Sequence, residues 1–135
     1  MKRLENVVFA NIIVFLLIVS FLPSRAINAK ELFPNDDEYL IGAETMPTPV
    51  GGMEAVVKKI TNMGMIRDVN INGKVYLLVY INEQGDVDDA KVVKGIGGGC
   101  DEAAIEAIKR SKFTPASNGS KKVKVKMTLA IVFKN

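Results

Sequence analysis

The sequence predicts an α+β domain, a three-stranded antiparallel sheet with helical cover on one face, and three observations predict it. Odd positions from Val123 to Phe133 (Val123, Val125, Met127, Leu129, Ile131, Phe133) are all apolar, while even positions run from Lys122, Lys124 and Lys126 to Thr128, Ala130 and Val132. Side chains alternate faces along a strand, so this reads as one long strand with an apolar face. Val75, Leu77, Val79 and Ile81 alternate in the same way ahead of a Glu83-Gln84-Gly85-Asp86 turn, and Val87–Lys94 follows, which makes a β-hairpin. Between hairpin and last strand, Ala104, Ile105 and Ile108 share one helical face, and Glu102, Glu106, Lys109 and Arg110 share the other.

Taken in order, the chain starts with the positive Lys2-Arg3. Val7–Leu22 is then apolar except for Asn11 and Ser20, and Pro23 and the small residues Ser24, Ala26 and Ala29 follow. These are the parts of a secretory signal, with cleavage after Ala26 or Ala29. The alternative is an uncleaved membrane anchor. A spanning helix needs about 20 apolar residues, and Val7–Leu22 is short of that, which favours cleavage. The mass of the mature N-terminus separates the two; either way the rest of the chain lies outside the cytoplasm, as a periplasmic or inner-membrane-tethered domain. Residues 1–29 are therefore assigned to signal or anchor, 30–49 to a linker and 50–135 to the folded domain. The linker is acidic (Glu31, Asp36, Asp37, Glu38, Glu44), holds Pro34, Pro47 and Pro49, and shows no period.

After Gly51-Gly52, the spacing of Met53, Val56, Val57 and Ile60 predicts a short helix, and Gly64 makes Thr61–Asn72 a connector. Gly85 suits positive φ in the hairpin turn. Gly95–Gly99 breaks the second strand, Asp101 is the expected N-cap of the next helix, and Thr114-Pro115 ends that segment. Ser117–Ser120 reads as the loop into the last strand.

Composition excludes several function classes. There is no histidine, which removes histidine general bases, Ser-His triads and the commonest metal ligand. One cysteine, Cys100, rules out an intramolecular disulfide. The net charge of +3 falls to +1 without residues 1–29, which carry Lys2, Arg3, Arg25 and Glu5. A nearly neutral chain without a basic stripe argues against nucleic acid. No activated nucleophile or convergent carboxylate pair is visible, so the reading is non-enzymatic, with no catalytic, cofactor-binding or metal-binding residues. Gly97-Gly98-Gly99 lacks the Lys-Ser/Thr of a phosphate cradle and reads as a turn. Glu83, Asp86, Asp88 and Asp89 diverge on a strand and read as a solvated turn. Cys100 reads as a small buried residue, with an intermolecular disulfide as its alternative. Lys122, Lys124 and Lys126 read as a solvated guard against edge-to-edge aggregation, with an anionic partner as the alternative. Tyr76, Leu78 and Tyr80 lie on the face opposite the helices, where an exposed apolar surface would suit a partner or a second copy.

The ordered set of residues resembles the TonB C-terminal domain family over about Pro47 to Lys134. The resemblance is carried by Val50-Gly51-Gly52-Met53, Gly73-Lys74-Val75-Tyr76, Asn82-Glu83-Gln84-Gly85-Asp86-Val87, Val92-Val93-Lys94-Gly95, Asp101-Glu102-Ala103-Ala104, Lys112-Phe113-Thr114-Pro115 and Val123–Phe133. It implies a module that transmits inner-membrane energy to outer-membrane receptors in energy-dependent transport, binding an extended peptide of the receptor or other envelope protein by strand addition. The implied edge is the last strand: Val123, Val125, Met127, Thr128, Leu129, Ala130, Ile131, Val132 and Phe133. Its length suggests that the half beyond Met127 overhangs the helix-covered core. The chain departs from full energy transducers in three ways. It has no histidine in its apolar N-terminal stretch, its spacer is short and poor in proline, and Asn62-Met63 stands where a Tyr-Pro pair is expected. A secreted or periplasmic adaptor that dimerises through the sheet, without energy transduction, is the competing reading.

Overall fold

The computed structural model describes residues 35–68 and 70–134. The signal or anchor expected in residues 1–29 lies outside the described residues. Among the described residues, no helix is long and apolar enough to cross a membrane.

The elements run α1 (Gly52–Met63), β1 (Gly73–Ile81), β2 (Val87–Lys94), α2 (Cys100–Lys109), β3 (Ala116–Asn118), β4 (Lys121–Val123) and β5 (Val125–Phe133), after a 3-10 turn at Asp36–Glu38. β2, β1 and β5 form one antiparallel sheet with β1 central. Both edges of β1 are thus paired, which its near-continuous run Val75-Tyr76-Leu77-Leu78-Val79-Tyr80-Ile81 suits. The α+β architecture with a short helix before the first strand is the one the alternation patterns predict.

The odd residues of β1 and β5 face the helices. Val75, Leu77, Val79, Ile81 and Val125 are fully buried, and Ile131 nearly so. Against them α2 sets Cys100, Ala103, Ala104, Ala107 and Ile108, all without exposed surface. Three alanines in ten residues let this helix lie close on β1 and β2. α1 adds Val56 and Ile60. Phe113 fills the space beneath the hairpin turn, where its N–H donates to the Gly85 carbonyl at 2.9 Å.

Four local features differ from expectation. α1 runs on to Met63 and stops at Gly64, whose φ of +61° only glycine adopts without strain. Asp101 does not cap α2; Gly99 holds that position, and the Asp101 carboxylate instead accepts from the N–H groups of Ile96 (2.9 Å) and Gly97 (3.2 Å). It ties down the glycine-rich loop, a job open to it because short acidic side chains readily bond nearby backbone. The long last strand is broken: Val123 pairs with Ala116 in the small β3–β4 hairpin around Gly119, and β5 begins at Val125. Finally, no half of β5 overhangs the core. Its pairing with β1 runs from Ile81↔Val125 to Gly73↔Phe133, and Ile131 is buried.

Residues 35–49, expected as a linker, pack on the domain as a strap. Leu40 bridges the start of β5, Thr45 pairs with Ser117 and Pro49 with Phe113. Thr48 N–H donates to the Thr114 hydroxyl at 2.9 Å, and Thr114 N–H returns to the Thr48 carbonyl at 2.9 Å. The strap starts with Tyr39 against Tyr80, bridges the start of β5 at Leu40, and leads through Pro49 into α1, whose Gly52 N–H donates to the Pro49 carbonyl at 2.9 Å.

Candidate functional site: the outer edge of β5

The sheet has two edges, and they differ. β2 pairs with β1 through irregularities at Tyr76/Leu77 and Tyr80/Ile81. β2 also carries Asp88, Asp89, Lys91 and Lys94. Bulges and charges are the usual devices that discourage pairing at an edge. β5 keeps continuous register with β1 over its whole length, and from Met127 to Phe133 it holds no charged residue.

Backbone geometry fixes which β5 groups are free. The N–H of Lys126 points away from β1, since it donates to the Leu40 carbonyl at 2.9 Å, and the Lys124 carbonyl points the same way, accepting from Leu40 N–H at 3.0 Å. Hydrogen-bonding direction alternates along an antiparallel strand. The N–H and C=O of Thr128, Ala130 and Val132 therefore also face outward, and among the described residues no backbone group outside the sheet pairs with them. Of the residues named for the edge, Thr128, Ala130 and Val132 present these groups. Val125, Met127, Leu129, Ile131 and Phe133 turn toward the core, and Val123 lies outside the strand.

A groove of about 390 Å³ opens beside this edge, between the end of α1 and the end of β5, lined by Val57, Ile60, Ile66, Ile71, Ile131 and Phe133 among others. A shallower recess of about 450 Å³, bordered by Ile41, Met46, Leu78, Met127 and Thr128, lies where the strap leaves the strand.

The face opposite the helices is not the open tyrosine surface that Tyr76, Leu78 and Tyr80 suggested. Tyr80 is 3% exposed, because Tyr39 of the strap packs edge-on against it with ring centroids 5.1 Å apart. The Tyr39 hydroxyl donates to Asp88, and the Tyr80 hydroxyl donates to Asp36 at 2.8 Å. Tyr76 and Leu78 remain half-buried.

Lys124 and Lys126 are not simply solvated guards. Lys126 pairs with Asp36 at 2.9 Å and Lys124 with Glu38, the Lys124 ammonium also standing 5.6 Å from the centre of the Tyr39 ring. Hydrogen bonds from Lys126 and then Tyr80 hold the Asp36 carboxyl below its usual pKa, and the Glu38 carboxylate raises that of Lys124. Sequence reading missed Asp36, Glu38, Tyr39 and Leu40 as parts of this edge. The available signal was charge: the acidic Asp36-Asp37-Glu38 run matches the alternating lysines of the last strand.

Burial, then the hydrogen bond to Asp36, pushes the Tyr80 phenol up to about 12, and burial and Asp88 push Tyr39 up as well. An unfolded tyrosine ionises near pH 10. A folded pKa above that value gives stability that is complete below about pH 10 and lost as pH rises through the folded pKa. Tyrosinate absorbance of Tyr80 should thus appear near pH 12, with the strap loosening between about 10 and that value. A normal ionisation of all three tyrosines with the sheet intact would contradict this packing.

The remaining polar clusters are structural. Asp89 pairs with Lys109 at 3.5 Å and Asp86 with Lys112, while Asn82 holds the hairpin turn by accepting from the N–H groups of Gln84 and Asp86, both at 3.0 Å. Among the described residues, no group of three or more acidic, cysteine or histidine side chains is placed to hold a metal. Cys100 has no exposed surface, and burial, with Asp101, Asp68 and Glu102, raises its thiol pKa. It packs as a small core residue, and its burial removes it from intermolecular disulfide chemistry.

Among the described residues, then, this small α+β domain presents along β5 from Met127 to Phe133 a strand edge without charge or backbone partner. The family model described as Gram-negative bacterial TonB protein C-terminal matches residues 65–135, just over half of the chain. The chain belongs to that family. A solution NMR structure of the Pseudomonas aeruginosa TonB C-terminal domain is 24% identical and matches over 76% of this chain and 91% of that one, with a TM-score of 0.40. No curated protein matches the chain. The family is one of periplasmic protein-interaction domains, not a known enzyme family, and its partners are outer-membrane proteins.

Proposed function

We propose that this domain binds an extended segment of an outer-membrane or other envelope protein as an added strand along β5, and that residues 1–29 direct its export. One observation carries the reading: the outward N–H and C=O groups of Thr128, Ala130 and Val132 form an uncharged, regular row without partners among the described residues. Unpaired strand edges of this kind are templates for another strand. In strand addition the backbone row gives affinity and pockets for alternate side chains give specificity. Side chains of the added strand that point toward the helices would meet the Val57–Phe133 groove. Coverage of Tyr80 by the strap weakens the rival reading, dimerisation through the opposite face.

The test is photo-crosslinking in a Gram-negative cell, with a benzophenone amino acid placed at Thr128, Ala130 or Val132, and at Val93 on the β2 edge as control. Crosslinks from the three β5 positions to one extended segment of an outer-membrane protein, absent from Val93, are expected. Equal labelling from both edges, or capture only of a second copy, would sink the proposal.

A further inference from the structure

We infer that Asp36–Leu40 is an intramolecular occupant of the β5 edge, which a partner strand must displace in order to pair along the whole strand. The inference rests on the strand-addition reading above and adds regulation of the same edge. Leu40 uses the Lys124 carbonyl and the Lys126 N–H, the two groups that continue the outward row of Thr128, Ala130 and Val132. It lies parallel to β5, so it is a short added strand supplied by the chain itself.

The side chains that precede Leu40 hold that bridge. Tyr39 stacks on Tyr80 and donates to Asp88; Asp36 pairs with Lys126 and accepts from Tyr80; Glu38 pairs with Lys124. Asp36 and Glu38 are exposed, and exposed ion pairs are individually weak and screened by salt. The strap has a place to swing. Ile41 is 83% exposed and a Cβ built on Gly42 would meet nothing within 4 Å, whereas Thr45 and Pro49 stay tied to Ser117 and Phe113. None of Asp36–Leu40 belongs to the main core cluster, so their release leaves the sheet and helices packed. A tethered occupant lowers the apparent affinity of any competitor by the fraction of time the edge is open.

The experiment titrates a fluorescent peptide with the sequence of residues 35–42 into the full chain, in detergent micelles, and into two variants. Leu40→Pro removes the N–H that donates to the Lys124 carbonyl. Asp36→Asn with Glu38→Gln removes both ion pairs from the surface without touching the backbone. The peptide is expected to bind Leu40→Pro at least tenfold tighter than the unaltered chain, with the double variant in between. Amide exchange at Lys126 should be faster in the variants and slow again on adding peptide. Equal affinity for all three proteins overturns the inference, and so does absence of binding to all three. Crosslinks from Thr128, Ala130 and Val132 judge the strand-addition reading separately, so either can fail alone.

Discussion

Replacing Ala130 with proline should reduce partner binding at least tenfold while the domain stays folded. The N–H lost is one that faces away from β1, so no bond of the β1–β5 ladder goes with it. Proline is tolerated on edge strands when its missing N–H faces outward. The Ala130 side chain is exposed, so the ring displaces no core atom. An added strand would lose one hydrogen bond, worth about 1 kcal/mol, and would also meet the ring where it must approach closely. About 1.4 kcal/mol corresponds to tenfold. The measurement is crosslink yield to the outer-membrane partner beside thermal unfolding, with Ala130→Ser, which keeps the N–H, as the matched control. Full crosslinking by a folded Ala130→Pro protein would remove β5 as the binding edge.

The second large effect falls on the hairpin turn. Gly85 sits at φ +82°, and a Cβ built there would fall on the Phe113 carbonyl oxygen. The left-handed conformation alone costs a residue with a Cβ about 1–2 kcal/mol. The clash cannot be relieved by a side-chain rotation, because Phe113 backbone is anchored by its N–H on the Gly85 carbonyl and by the Pro49 pairing. Gly85→Ala should therefore cost roughly 3 kcal/mol or more in total, the upper range of single-substitution effects. For a domain near a hundred residues that is a fall of about 12–24 °C in Tm. Scanning calorimetry of both proteins checks it, and a loss below about 1 kcal/mol would mean that the turn re-forms without the Phe113 contact.

The Gly85 turn was legible because a glycine between two alternating runs marks a hairpin. The identity of its neighbour was not, since Phe113 lies 28 positions on and no local pattern joins them. In the same way the alternation of Val123–Phe133 predicted a strand, but not its break at Lys124. There the β3–β4 hairpin takes up Val123, a competition between two pairings that one strand's pattern cannot show. The cover over Tyr80 escaped the sequence for a related reason. Period two places Tyr76, Leu78 and Tyr80 together, but what covers them is a matter of distant chain.

By itself the sequence determined the α+β class, the hairpin–helix–strand order, the apolar faces of β1, β5 and α2 and the absence of histidine chemistry. All follow from periodicity and composition, which are local. Only the tertiary structure decided that β1 is central, that the outward backbone of Thr128, Ala130 and Val132 has no partner among the described residues, and that Asp36–Leu40 closes the start of the same edge. The physical reason is that an edge is defined by the neighbour it lacks. Backbone hydrogen bonds between distant segments depend on register and approach, to which side-chain patterns of a single segment are blind.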